Sequence, residues 1–138
     1  MNIYFACSIT GGREFETAYQ EIVAALEKDG HEIPTSHLVQ SEIAEKERQL
    51  TPQDVYERDV NWIRNCDTLI AEVSTPSHGV GYEIAFALGL GKPVLCIYQK
   101  DRRVSKMLSG NPDPKITTQA YGTVEEAISQ ARFFLDSL

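Results

Sequence analysis

The sequence predicts an α/β fold: an open, parallel, five-stranded sheet with helices on both faces. Three observations lead there. Short apolar runs alternate with amphipathic segments along the chain. The apolar runs are continuous, as in strands covered on both sides. Glycines and prolines mark many of the joins between them. A strict strand–helix alternation makes neighbouring strands parallel, because each helix carries the chain back to the same end of the sheet. The 138 residues are one domain's worth, and residues 1–138 are read as a single domain.

Ile3 to Cys7 reads as a buried strand feeding the loop Ser8-Ile9-Thr10-Gly11-Gly12. From Glu14 to Asp29, Phe15, Tyr19, Ile22, Val23 and Leu26 recur at helical spacing, and Gly30 suits the helix end. His31 to Leu38 is a weaker second strand, interrupted by Pro34. Residues 40–51 are polar, a mobile loop or a short exposed helix. Thr51-Pro52 is an N-cap with proline behind it, opening a helix to about Asn65. Thr68 to Val73 is a third strand. A helix opening at Gly79 or Val80 ends near Gly91. Pro93 to Tyr98 is a fourth strand, Arg103 to Leu108 a short helix, Ile116 to Ala120 a fifth strand and Val124 to Leu135 a closing helix. This is the doubly wound, Rossmann/flavodoxin-like class. Its ligands sit beyond the C-terminal strand ends, so the loops after the first, third and fourth strands are the informative ones.

Composition narrows the function. Thirteen Lys and Arg against twenty Asp and Glu give a net charge of −7. Such a chain lacks the cationic footprint that nucleic acid polymers or membrane surfaces require. Cys7, Cys66 and Cys96 form no CxxC pair and sit in or beside apolar segments. They read as buried free thiols of a cytoplasmic protein. The three histidines are scattered without metal-ligand spacing, so no metal is expected and His78 is set aside as a base.

Two carboxylates stand where apolar residues belong. Glu83 is the only charged residue of the segment Val80 to Leu90, which is apolar nearly all round and so expected to be buried. A first-turn glutamate favoured by the helix dipole is the structural alternative. A capping box is not, because position 80 is valine. Asp59 shares a helix face with Val55, Trp62 and Cys66. It is either a boundary residue paired with Arg58 or Arg64, or a second acid pointed into the Glu83 pocket, where paired acids can divide acid and base roles. The loop Ser8 to Arg13 is either a plain turn or an anion site built from hydroxyls, glycines and helix N–H groups. It is neither a P-loop nor a GxGxxG fingerprint.

Ile3-Tyr-Phe-Ala-Cys-Ser-Ile-Thr-Gly-Gly-Arg-Glu14, Arg58-Asp-Val-Asn-Trp62 and Ala71-Glu-Val-Ser-Thr-Pro-Ser-His-Gly-Val-Gly-Tyr-Glu83 together resemble the 2′-deoxynucleoside 5′-monophosphate N-glycosidases, relatives of the nucleoside 2-deoxyribosyltransferases. The match runs on through Gly91-Lys-Pro-Val-Leu-Cys96 to about Leu108. The resemblance implies hydrolysis of the N-glycosidic bond to a free base and 2-deoxyribose 5-phosphate, without cofactor. Glu83 would be the nucleophile forming a glycosyl–enzyme intermediate, Asp59 would orient it and move protons, and Tyr4 would hydrogen-bond it. Ser8, Ile9, Thr10, Gly11, Gly12, Arg13, Ser77 and Gly79 would surround the sugar and 5′-phosphate. Ser105 would reach the phosphate from the second subunit of a homodimer. Thr10 stands where animal members carry arginine.

Within the same chemistry the alternatives are a CMP-type ribonucleotide N-glycosidase and a deoxyribosyltransferase. From another class comes a non-catalytic nucleotide sensor, since fold does not fix function. A sensor would not need Tyr4, Asp59 and Glu83 together.

Overall fold

The computed structural model describes residues 1–9 and 14–138. Four parallel strands form the sheet, in the order β1 (Ile3–Ala6), β2 (Thr68–Glu72), β3 (Val94–Gln99) and β4 (Ile116–Tyr121). The helices are α1 (Glu16–Lys28), α2 (Ile43–Glu47), α3 (Pro52–Asn65), α4 (His78–Gly89), α5 (Lys106–Ser109) and α6 (Val124–Asp136). Each expected helix is present within a few residues, and α3 runs as expected from Pro52 to Asn65.

The expected second strand, His31 to Leu38, is not formed, so the sheet has four strands where five were expected. Residues 31–35 do lie along the free edge of β1. Ile3 N–H donates to the Glu32 carbonyl at 2.8 Å, and Glu32 N–H to the Met1 carbonyl at 2.9 Å. That makes one bridge, Asn2 to Glu32, and no more. Pro34 has no N–H and cannot continue a ladder. The next β1 donor, Phe5 N–H, is instead met by the buried Thr35 hydroxyl at 3.0 Å. The chain then turns into a 3₁₀ helix, Ser36–Val39. The edge is satisfied by a side chain where a strand was expected.

Strand parity divides the core in two. Side chains alternate across a sheet. Ile3 and Phe5 pack with Tyr19, Ile22 and Leu26 of α1 and Ala127 and Ala131 of α6. Tyr4 and Ala6 face the other way, toward Ile63 of α3 and Val80, Ile84 and Ala87 of α4. Tyr4 therefore points to the layer that carries both misfit carboxylates. Residues 31–35 sit on one side of β1 and β2 on the other, so the loop after β1 borders a switch point.

A third carboxylate, Glu72, ends β2 and is fully buried. It accepts from the Tyr121 hydroxyl at 2.9 Å, from Ser74 N–H at 3.3 Å and from the Ser74 hydroxyl. Ser74 Oγ in turn accepts from Gln99 N–H at 2.8 Å. Burial pushes the Glu72 carboxyl up, and the donated bonds pull it back. The cluster joins the ends of β2, β3 and β4 directly beneath the loop that leads into α4.

Helix ends follow the sequence signals. Thr51 and Thr123 each form a capping box, with Asp54 and Glu126 respectively. Gly30 and Gly91, with φ of 89° and 75°, end α1 and α4 in the left-handed region that glycine tolerates. Thr123→Ala is expected to destabilise the protein by about 1 kcal/mol, read as a lower urea midpoint with unchanged slope.

Candidate active site

Glu83 reaches the site from α4. The N-cap of that helix is Ser77, whose hydroxyl oxygen accepts from Val80 N–H at 3.4 Å. The helix starts at His78, earlier than expected, so Glu83 lies in its second turn. The helix dipole acts mainly within the first turn, so it does not account for a carboxylate here. Nor is α4 wholly buried. Val80, Ile84 and Ala87 face the core, while Tyr82 and Leu90 are exposed. Tyr82 stacks on Phe86 at 6.1 Å between ring centroids and meets Tyr56 of α3 at 6.2 Å. The helix is apolar all round because its second face is an exposed aromatic surface.

The Tyr4 hydroxyl donates to Glu83 Oε1 at 2.9 Å across 79 residues of sequence. Burial of the carboxyl pushes Glu83 up to about 7. The bond from Tyr4 lowers it, the negative charge of Asp59 raises it, and Arg58 lowers it. Tyr4 itself is driven far above its ordinary value, first by burial and then by the charges of Glu83 and Asp59. It therefore stays a protonated donor.

Asp59 satisfies both readings at once. Its Oδ1 accepts from Arg58 Nε at 2.8 Å, and it lines the same cleft as Glu83. The face carrying Val55, Asp59 and Trp62 is half-buried, and the core is served by Val60 and Ile63 beside it. Asp59 thus interrupts no core stripe; its face borders the cleft. Burial raises its carboxyl above the usual range, while the bond to Arg58 lowers it.

The cleft is about 200 Å³ in volume and is lined by Cys7, Ile9, Glu47, Val55, Asp59, Ser77, Gly79, Val80 and Glu83. Ile9, Ser77 and Gly79 are thus brought together with the two acids. Ser8 is fully buried beside them, and its hydroxyl has no hydrogen-bond partner among the described residues. Thr10, Gly11, Gly12 and Arg13 lie outside the described residues. Ser105 is exposed and lines a different, largely apolar pocket of about 390 Å³, which shares Ser77 and Val80 with the cleft. Ser105 is therefore not in the Glu83 cleft of its own chain. Glu47, in the polar segment 40–51, carried no periodic or motif signal that placed it in this wall. Among the described residues no cluster of three or more His, Cys, Asp or Glu could hold a metal ion.

A parallel α/β sheet with a tyrosine-held carboxylate and a second acid at its switch point defines a class of small-molecule enzyme sites rather than a structural module. The chain belongs to the nucleoside 2-deoxyribosyltransferase family, whose model matches residues 3–128. A protein of Methanococcoides burtonii, provisionally named a 2′-deoxynucleoside 5′-phosphate N-hydrolase, is 41% identical over 88% of this chain and 100% of its own. The 5-hydroxymethyl-dUMP N-hydrolase of Mus musculus is 40% identical over 81% of this chain and 66% of its own. The solved CMP N-glycosidase of Clostridium botulinum shares the fold at a TM-score of 0.75, with 17% identity, over 97% of this chain and 99% of that one.

The raised Glu83 carboxyl has a stability consequence. Between its ordinary value of 4.5 and about 7, the folded chain keeps a proton that the unfolded chain releases. Stability from this group is therefore present below about pH 4.5 and is lost as pH rises toward 7. Glu83→Gln keeps an acceptor for Tyr4 and removes the charge. It is expected to be more stable than the parent at pH 8 by on the order of 1–2 kcal/mol, and to lose that advantage near pH 4. Thermal unfolding at the two pH values checks this.

Proposed function

We propose that this chain is an enzyme that hydrolyses the N-glycosidic bond of 2′-deoxynucleoside 5′-monophosphates. The observation that carries the reading is the Tyr4–Glu83 hydrogen bond with Asp59 in the same cleft. A carboxylate beside the anomeric carbon stabilises the positive charge that builds on the sugar as the base departs. A Glu83 oxygen bonds to C1′ as the C1′–N bond breaks, and the base leaves with the bonding pair and takes up the proton of the Asp59 carboxyl. Water then attacks C1′, the bond to Glu83 breaks, and a water proton passes to Asp59. The products are a free base and 2-deoxyribose 5-phosphate with overall retention. Burial near neutral pKa suits Glu83 to this work, because Tyr4 favours the ionised form that attacks. The names of the relatives support the same bond and the monophosphate substrate.

The 5′-phosphate is assigned to the end of the cleft at Ser8, Ile9, Ser77 and Gly79; that Thr10 to Arg13 also serve it is what the family resemblance implies. The Ser8 hydroxyl, unpartnered among the described residues, and the Ser77 cap support this, since Ser77 can still donate its own proton. No metal or organic cofactor is needed for these steps. A homodimer is the assembly we favour, with Ser105 reaching the partner's phosphate site. Its support is the exposed aromatic face of α4 and the 81% exposure of Met107 beside the Ser105 pocket. Among the described residues no helix is long and apolar enough to cross a membrane. The three cysteines, buried and in no disulfide, support a reducing, cytoplasmic setting for this single domain.

The test is product analysis. Purified protein is incubated with the four deoxynucleoside monophosphates, the ribonucleotides and the bare nucleosides, and free base is followed by chromatography. Base release from deoxynucleoside monophosphates, reduced by roughly three orders of magnitude or more in Glu83→Ala, is the expected outcome. Release from ribonucleotides alone would change the substrate. Base exchange without hydrolysis would make it a transferase. Binding without release would make it a sensor.

A further inference from the structure

One ionic chain enters the cleft from a segment that carries no reacting group. Glu47 closes α2, and its side chain is 14% exposed. Its Oε1 accepts from Arg58 Nη1 at 2.7 Å and its Oε2 from Nη2 at 3.0 Å. This two-pronged pairing leaves Arg58 Nε free for Asp59 Oδ1 at 2.8 Å. The guanidinium also lies over the Trp62 ring, 4.9 Å from its centroid, and the His37 ring meets Trp62 edge-on at 5.6 Å. Arg58 is thus fixed along both in-plane edges and on one face. An exposed surface pair contributes little, but here all three ionic side chains are at most 21% exposed.

We propose that Arg58 and Glu47 are positioning residues for Asp59: Arg58 fixes the orientation of the Asp59 carboxylate, and Glu47 fixes Arg58, so that α2 docks onto the active site and sets its proton-transfer geometry. The proposal rests on the glycosidase reading for what Asp59 does, though the ionic chain itself does not. Lysine could not replace Arg58 here, because one ammonium lacks the planar fork that serves two carboxylates. The groups that act on Asp59 are Arg58 on its own helix, Glu47 on α2, His37 on the 3₁₀ helix, Glu83 on α4 and Tyr4 on β1. Arg58 lowers the Asp59 carboxyl, so its removal must raise it.

The experiment has two readouts. The first is the ¹³C carboxyl shift of Asp59 against pH in the parent, Arg58→Gln and Arg58→Lys. The second is kcat/KM for base release in Glu47→Gln, Arg58→Gln and the double variant. Arg58→Gln is expected to raise the Asp59 titration by about one unit or more and to lower kcat/KM about 10- to 100-fold. Arg58→Lys is expected to hold the titration nearer the parent yet still lose rate. Glu47→Gln should lower kcat/KM several-fold alone and add nothing in the Arg58→Gln background. An unmoved Asp59 titration with additive losses overturns the proposal. If Arg58→Gln does not fold, full parental kcat/KM in both Glu47→Gln and Arg58→Lys overturns it. A parent that releases no base while its Asp59 titration still shifts in Arg58→Gln overturns the glycosidase reading and leaves the ionic pairing standing.

Discussion

The Tyr4 hydroxyl bound to the Glu83 carboxylate is the contact around which the site is organised. It requires Tyr4 to face the α3–α4 layer, which strand parity decides. It requires α4 to cross that layer at the height of β1, which the apolar contacts of Val80, Ile84 and Ala87 secure. It requires the carboxyl to be sheltered, and shelter is what pushes Glu83 toward neutral pH. A buried carboxylate without a donor would be costly. One phenol offsets part of that cost, and the part left over holds the Glu83 carboxyl up at about 7. The fold tolerates a stability penalty at this position, as active sites often do.

The remaining polar clusters differ in their degree of satisfaction. Glu72 accepts hydrogen bonds from Ser74 and Tyr121 at the strand ends and works as a structural tie. Asp59 has one, from Arg58, and keeps capacity for a ligand. Ser8 has none among the described residues. Satisfaction falls from the core toward the cleft, which is the direction expected when the unmet groups await a substrate.

Much of this was legible in the sequence because it follows periodicity and caps. The α/β class, the helices and the two misplaced acids fall in that group. Glu83 and Asp59 stood out because carboxylates in apolar or half-apolar faces break the pattern. What was not legible depended on non-local pairing. Pro34 was visible as a break, but the substitution of the Thr35 hydroxyl for a strand depends on where β1 lies. The exposed face of α4 was read as buried, since composition cannot distinguish a core contact from an aromatic surface. Glu47 belonged to a polar run with no period, and only the fold brings it to Arg58. The expectation for Ser105 came from family resemblance. In its own chain that residue lies in the adjoining pocket, separate from Glu83.

The proposed mechanism turns on Glu83 as the nucleophile that bonds C1′ of the sugar. The direct measurement is peptide mass analysis of protein quenched in acid during turnover of a deoxynucleoside monophosphate. The account predicts a fraction of the Glu83 peptide carrying one 2-deoxyribose 5-phosphate ester, with the Asp59 peptide unmodified. An ester on Asp59, or a burst of base release with no ester on Glu83, would contradict it.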